Sequence, residues 1–308
     1  MMHEWPVLTS YDQNHLARIA LPLGGIGTGT VSLGGRGNLR DWEIMNRPAK
    51  HFVPGIEKRS APFFAIFTKQ SDGTRDTRAL EGPLELAEYE GAMGCPSANH
   101  GLPRFRQCSF DAAYPFGQVR LADPEMPVRV CLQAFNPLIP PDADASGIPV
   151  AILRYNVTNL TDAPLEAAIC ATIPNFIGID GSETARNWQG GPQARGACQN
   201  RNSFRQGQQA QGIFMDSQGV AQDSPAWGSM AIATAATETT VSHRTAWAEL
   251  SWGDSVLDFW DDFSDDGMLD ERPAGKDDSP TASLAVGRTI PPGKTQSVTF
   301  LLTWHFPN

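Results

Sequence analysis

Leu165-Glu166-Ala167-Ala168-Ile169-Cys170-Ala171-Thr172-Ile173 carries the reading of the fold. Leu165, Ala167, Ile169, Ala171 and Ile173 fall on one face at a period of two. Glu166, Ala168, Cys170 and Thr172 fall on the other, which is the signature of a β-strand with one face on a core. The run at 297–306 repeats the pattern, with Val298, Phe300, Leu302, Trp304 and Phe306 opposite Ser297, Thr299, Leu301, Thr303 and His305. Runs at 62–68, 128–135, 150–158 and 230–236 alternate in the same way. Turn chemistry separates them at Ser71-Asp72-Gly73, at 159–164 and at Pro291-Pro292-Gly293-Lys294. The strands at 150–158 and 165–173, six residues apart, read as an antiparallel hairpin or as a crossover between sheets. Helical signal is confined to 254–263, with Val256, Leu257 and Trp260 on one face and Asp254 as N-cap. Residues 181–211, rich in Gly, Gln, Asn and Arg, read as a long excursion loop. The expected fold is all-β: a large antiparallel two-sheet sandwich with long loops and few short helices.

Composition agrees. The 308 residues are enough for a core without disulfide or metal staples. There are 29 glycines and 24 prolines, about 17% of the chain against a usual ~12%, which favours turns and short strands. The net charge of −10 offers no footprint for a phosphate backbone or an anionic membrane surface, so nucleic acid is excluded as a main partner. No segment has the ~20 apolar residues of a membrane span, and membrane association of this chain is not expected. Residues 1–15 contain no apolar run of the secretory kind. The five cysteines (Cys95, Cys108, Cys131, Cys170, Cys198) are odd in number and show no C-x-x-C spacing, which reads as inert thiols in a reducing, cytoplasmic setting. The sequons at Asn156 and Asn159 then have no consequence.

The glycine-rich stretch Leu21-Pro22-Leu23-Gly24-Gly25-Ile26-Gly27-Thr28-Gly29 resembles a nucleotide loop only superficially. Thr30, Ser32 and Arg40 stand where a G-x-G-x-x-G pattern needs glycine, and no helix pattern follows. Closely approaching backbones or left-handed turns explain the glycines better. Behind this stretch stands a dense polar cluster from Arg36 to Arg47. Its candidate residues are Arg36, Arg40, Asp41, Trp42, Glu43, Asn46 and Arg47. Planar amides, carboxylates and an aromatic face are the groups from which sugar sites are built. The same residues equally suit a buried polar network at an interface. Asp262–Asp266 mimic the first half of a calcium loop, but Pro273 stands where the bidentate Glu belongs, so an acidic surface turn is the default. The six histidines form no H-x-x-x-H pair, and no G-x-S-x-G elbow occurs. Asp41 or Glu43 can be drawn with Glu183, Asp261 or Glu271 as a glycosidase pair, yet no pattern prefers any of them. No catalytic residue, metal ligand or cofactor is assigned.

The glycine stretch, followed by Gly35-Arg36-Gly37-Asn38-Leu39-Arg40-Asp41-Trp42-Glu43 and Asn46-Arg47-Pro48, resembles the N-terminal domain of glycoside hydrolase family 116. That is the family of non-lysosomal glucosylceramidase and prokaryotic β-glucosidases. Further matches are Ala134-Phe135-Asn136-Pro137-Leu138-Ile139-Pro140, Gly147-Ile148-Pro149-Val150-Ala151 and the closing Leu302-Thr303-Trp304-His305-Phe306-Pro307-Asn308. The resemblance implies an N-terminal arm (1–20) and a β-sandwich (21–308) that precede a helical (α/α) domain carrying the retaining catalytic pair. No residue here matches that pair. The expected role is then non-catalytic: a sandwich that packs on its own C-terminal catalytic domain and rims the site for a β-glucoside. Loss of that covering would leave the surface round the glycine stretch more apolar than usual. The alternatives are a stand-alone carbohydrate-binding or sugar-epimerising sandwich, and a scaffold whose 181–211 loop binds another protein.

Overall fold

The computed structural model describes residues 5–55, 60–89, 97–181, 184–186, 192–194, 199–251, 254–273 and 275–308. In chain order, the strands are β1 (Thr9–Tyr11), β2 (Ala20–Leu23), β3 (Thr30–Gly34), β4 (Leu39–Glu43), β5 (Phe63–Lys69), β6 (Arg75–Ala79), β7 (Gln107–Ala113), β8 (Phe116–Ala122), β9 (Val128–Phe135) and β10 (Val150–Asn159). They continue with β11 (Leu165–Pro174), β12 (Thr184–Arg186), β13 (Pro192–Ala194), β14 (Asn200–Gln206), β15 (Ala210–Ser217), β16 (Ser229–Ala235), β17 (Val241–Arg244), β18 (Thr281–Ile290) and β19 (Thr295–His305). A short helix α1 (Ala143–Ser146), a longer α2 (Asp254–Asp266) and 3-10 turns at Gln13–His15 and Leu86–Tyr89 complete the described elements.

Nine strands form one antiparallel sheet in the order β1-β7-β8-β9-β10-β19-β16-β15-β14, and five form the facing sheet, β17-β18-β11-β5-β6. The protein is an all-β sandwich. Strands β10 and β11 belong to different sheets, so the six-residue connection is a crossover rather than a hairpin. The alternating faces read from sequence meet between the sheets. Leu165, Ala167, Ile169, Ala171 and Ile173 join Val298, Phe300, Leu302 and Trp304 in one core, and Phe64 packs against Tyr155 and Phe300 at 5.1 and 5.5 Å across the gap. The segment set apart as an arm takes part: Trp5 packs edge-on to Phe116 and Phe135, β1 pairs with β7, and Leu16 is buried.

The outer face of β11 is also buried. Ala168 and Cys170, with Phe63, Ala65 and Phe67 of β5, lie under Trp247 and under Phe259 and Phe263 of α2. The apolar stripe of α2 is therefore centred on Phe259 and Phe263, with Val256 and Trp260 flanking it and Leu257 left 57% exposed. Beneath the helix the fully buried Arg244 pairs with Asp258 at 2.6 Å and Asp262 at 2.7 Å, and Arg272 reaches both carboxylates from outside. The acidic surface turn expected at Asp262–Asp266 is instead the last turn of α2, and Asp262 is paired with Arg244 and Arg272. Among the described residues no group of three or more His, Cys, Asp or Glu is placed to hold a metal.

The expected 181–211 loop is partly sheet. Its last third supplies β14 and the start of β15, pairing Asn200 with Ser217 through Gln206 with Gln211. Strand β14 is an edge whose residues are mostly exposed, so it needs no apolar alternation, and that is why the pattern was silent there. Residues 184–186 and 192–194 form a small two-stranded sheet. Cys95, Cys198 and Glu183 lie outside the described residues.

Candidate functional site

The three-stranded sheet β2-β3-β4 carries the candidate cluster. Its strands are antiparallel, so the connection β2–β3 and the connection β3–β4 lie at opposite ends. The β2–β3 connection is the glycine stretch, and its glycines are required by space as well as by φ. A Cβ on Gly24 (φ +138°) would stand 2.5 Å from the Gly29 carbonyl and 2.8 Å from the Trp304 ring, and one on Gly25 would stand 2.4 Å from the Ile148 carbonyl. Trp304 donates its indole N–H to the Thr28 carbonyl at 2.6 Å. Ser146 ties in a third segment, since its carbonyl accepts from Ile26 N–H at 2.8 Å and its hydroxyl accepts from Ile139 N–H at 2.9 Å. Ile26 (62%), Ile139 (54%) and Ile148 (49%) are left exposed round this turn.

Asn46 lies at the same end, just past β4. Its backbone is left-handed (φ 56°), and its amide donates to the carbonyls of Pro225 (3.3 Å), Phe306 (3.1 Å) and Asn308. Glu43 accepts from Ala49 N–H at 2.9 Å and pairs with Lys50 at 2.5 Å, while Arg47 reaches Asp180 at 3.3 Å. Trp42 is 2% exposed and packed edge-on against Phe176 at 5.3 Å, so its face is a core surface rather than a platform.

Arg36 belongs to the other end. It sits in the β3–β4 turn, closed by Gly34 N–H to the Asn38 carbonyl at 2.8 Å and anchored by Gly82 N–H to the Arg36 carbonyl at 2.7 Å. Its buried guanidinium pairs with the buried Glu81 through Nη1, approaches Glu88 at 3.4 Å through Nε, and donates to Ser97 Oγ at 3.4 Å through Nη2. Arg104 approaches Glu81 from a second side at 3.3 Å. Burial pulls the Arg36 pKa down, but Glu81 and Glu88 outweigh it and hold the group above its ordinary range. Arg40 donates Nε to Asp41 at 3.1 Å and Nη1 to the Ala17 carbonyl at 3.1 Å. Asp41, buried and left-handed (φ 49°), accepts from the backbone N–H of His51, itself left-handed (φ 66°), at 2.6 Å. Arg36, Asn38, Arg40, His51, Glu81 and Glu88 are among the residues that line a cleft of 380 Å³ here.

The seven candidates are thus divided by β4. Arg36 and Arg40 face the cleft, Asp41 and Trp42 support it from within, and Glu43, Asn46 and Arg47 lie toward the isoleucine end. Glu81, Glu88, Ser97 and His51 were missed, since an ion pair 45 residues apart in sequence has no local signal. His51 shares a cleft with two glutamates, of which Glu81 presents Oε2 to two guanidiniums, those of Arg36 and Arg104. Glu271, drawn above as a carboxylate partner, accepts instead from Thr245 N–H at 3.0 Å.

Cys108 and Cys170 are buried, and burial pushes both thiols up to about 12; the half-buried Cys131 is raised for the same reason. These three are unpaired thiols in environments that suppress the thiolate.

The model of the family described as beta-glucosidase 2, glycosyl-hydrolase family 116 N-term, matches residues 20–308. The fold and this match define the N-terminal β-sandwich of a glycoside-hydrolase family. The chain belongs to glycosyl-hydrolase family 116, as its N-terminal region. Among solved structures it is similar to a polysaccharide lyase at 10% identity and TM-score 0.43, over 99% of this chain and 34% of that one. A protein assigned as a kojibiose phosphorylase from the human microbiome matches at 9% identity and TM-score 0.39, over 94% of this chain and 30% of the other. A protein from Klebsiella pneumoniae assigned as an aldose 1-epimerase matches at 8% identity and TM-score 0.32, over 89% and 76%. The chain spans about a third of the length of the first two. Among the described residues no helix is long and apolar enough to cross a membrane.

Proposed function

We propose that this chain is the non-catalytic sandwich of a retaining, β-glucosidase- or glucosylceramidase-like enzyme of the cytoplasm, and that it packs on a helical catalytic domain of the same polypeptide. The family match over residues 20–308 carries the reading. The isoleucine end supports it. Ile26, Ile139 and Ile148 form an apolar surface of the kind a partner covers, and the glycine turn beneath them is held rigid by Trp304. Asn46 binds the last residues of the chain to this same end, so polypeptide following Asn308 would leave from beside the isoleucines. Glu43, Asn46 and Arg47 lie at this end, and their polar groups suit the border of a sugar site formed across that interface. The unpaired thiols of Cys108, Cys131 and Cys170 suit a reducing compartment.

Two measurements test the reading. The purified chain is expected to give no turnover of an aryl β-glucoside, and measurable hydrolysis overturns the non-catalytic role. The coding sequence past Asn308 is expected to continue into a few hundred codons of helical pattern; a stop codon directly after Asn308 overturns the docking role.

A further inference from the structure

We infer that the cleft beside the β3–β4 turn is a binding site for an uncharged saccharide of one or two hexose units, distinct from the isoleucine end and independent of what docks there. The two places are separated by the length of β4, whose four steps from Leu39 to Glu43 span about 13 Å. The cleft's 380 Å³ falls within the ~300–1,000 Å³ of small-molecule sites.

Charge decides the class of ligand. Arg36 and Arg40 line the cleft together with Glu81 and Glu88, so its formal charge sums to zero. An anion would have to share Arg36 with Glu81 or Arg40 with Asp41, and Glu81 and Asp41 are both buried, so drawing either arginine away would leave a carboxylate unpaired out of water. A cation meets the mirror problem at Glu81. A hydroxyl group, which donates and accepts at once, needs neither displacement.

The groups left over suit hydroxyls. Arg40 commits Nε to Asp41 and Nη1 to the Ala17 carbonyl, which leaves Nη2. The amide of Asn38 and the ring of His51 have no hydrogen-bond partner among the described residues, and both border the cleft. Leu39, Val53 and Pro62 supply an aliphatic wall for the C–H face of a pyranose. The backbone beneath is fixed in an unusual form: two hydrogen-bonded partners ten residues apart, Asp41 and His51, are both left-handed without being glycine. Strain of that kind persists where surrounding structure over-determines it, and it holds His51 at the rim.

The test is titration of the purified chain with D-glucose and with cellobiose by calorimetry or saturation-transfer NMR, with inorganic phosphate as the charged control. Saturable binding of one of the sugars is expected, with none for phosphate. Arg40→Ala is expected to weaken it about tenfold or more. Val53→Trp, which fills the cleft from its apolar wall and leaves the ion pairs alone, is expected to do the same. Arg205→Ala, on the remote edge strand β14, leaves affinity unchanged, and thermal melting of each variant confirms that it is folded. Phosphate binding in place of sugar overturns the uncharged class. No saturable signal from either sugar, or sugar binding that survives both cleft variants, overturns the site.

Discussion

Glu81→Gln tests whether the floor of the cleft is held by its ion pairs. The substitution keeps the shape of the side chain and removes one charge. Arg36 is then left with Glu88 at 3.4 Å and Ser97 at 3.4 Å, and Arg104 keeps only backbone carbonyls such as those of His100 and Leu102 at 3.0 Å. Breaking a buried pair costs about 3–5 kcal/mol, because the surviving charge remains out of water. Glu88 offsets part of this, so the lower end, about 3 kcal/mol, is expected. A domain with ~5–15 kcal/mol of stability stays folded through such a loss. With a urea m-value on the order of 3 kcal/mol per M, the unfolding midpoint should fall by about 1 M at unchanged slope, followed by tryptophan fluorescence. The double variant Arg36→Met/Glu81→Leu removes both charges of the closest pair but leaves Arg104 without a carboxylate, so it should recover only part of the loss. A cost below about 1 kcal/mol for Glu81→Gln, as for an exposed pair, would refute the assignment of a buried charge-paired floor.

Two further outcomes are expected. Gly24→Ala places a methyl 2.5 Å from the Gly29 carbonyl and 2.8 Å from the Trp304 ring at φ +138°, so it should cost on the order of 3 kcal/mol; a melting temperature equal to the parent's would contradict the close approach. The thiols of Cys108 and Cys170 ionise near 9 when unfolded and near 12 when folded, so their contribution is intact below pH 9 and is lost as pH rises toward 12. At pH 10 the two together should cost about 3 kcal/mol. Replacing both by Ala should flatten stability between pH 8 and pH 10 relative to the parent, and an unaltered slope in urea titrations would argue against the buried thiols as its source.

The sandwich could be read from the chain because its strands are half-buried in long, regular runs. Residues 297–306 alternate without a break, and Val298, Phe300, Leu302 and Trp304 are all buried in the order expected. Edge strand β14 escaped because Arg201, Ser203 and Arg205 face solvent, where no force selects apolar residues. Periodicity puts Leu257 on the buried face of its helix, but the face that meets the sheet carries Phe259 and Phe263 in its core and Asp258 and Asp262 on the buried Arg244, which leaves Leu257 exposed. A buried charge beneath a helix is invisible to a hydrophobic count.

The polar cluster shows the opposite limit. Arg36 to Arg47 is one dense stretch in sequence, and density suggested one site. A β-turn followed by five residues of strand separates its two ends, so the stretch serves two surfaces with different demands. At one end, Asn46 and its carbonyl partners close a rigid, apolar surface that suits a folded partner. At the other, Arg36 and Arg40 are neutralised by acids drawn from distant segments, and neutralisation is what makes a polar cleft tolerant of a ligand without charge. The two roles need not compete. A saccharide held by Arg40 and a domain docked on Ile26, as proposed, would touch no common residue, so a variant that abolishes one is expected to spare the other. Loss of sugar binding on substituting Ile26, or loss of docking on substituting Arg40, would mean that the strand between them transmits more than position.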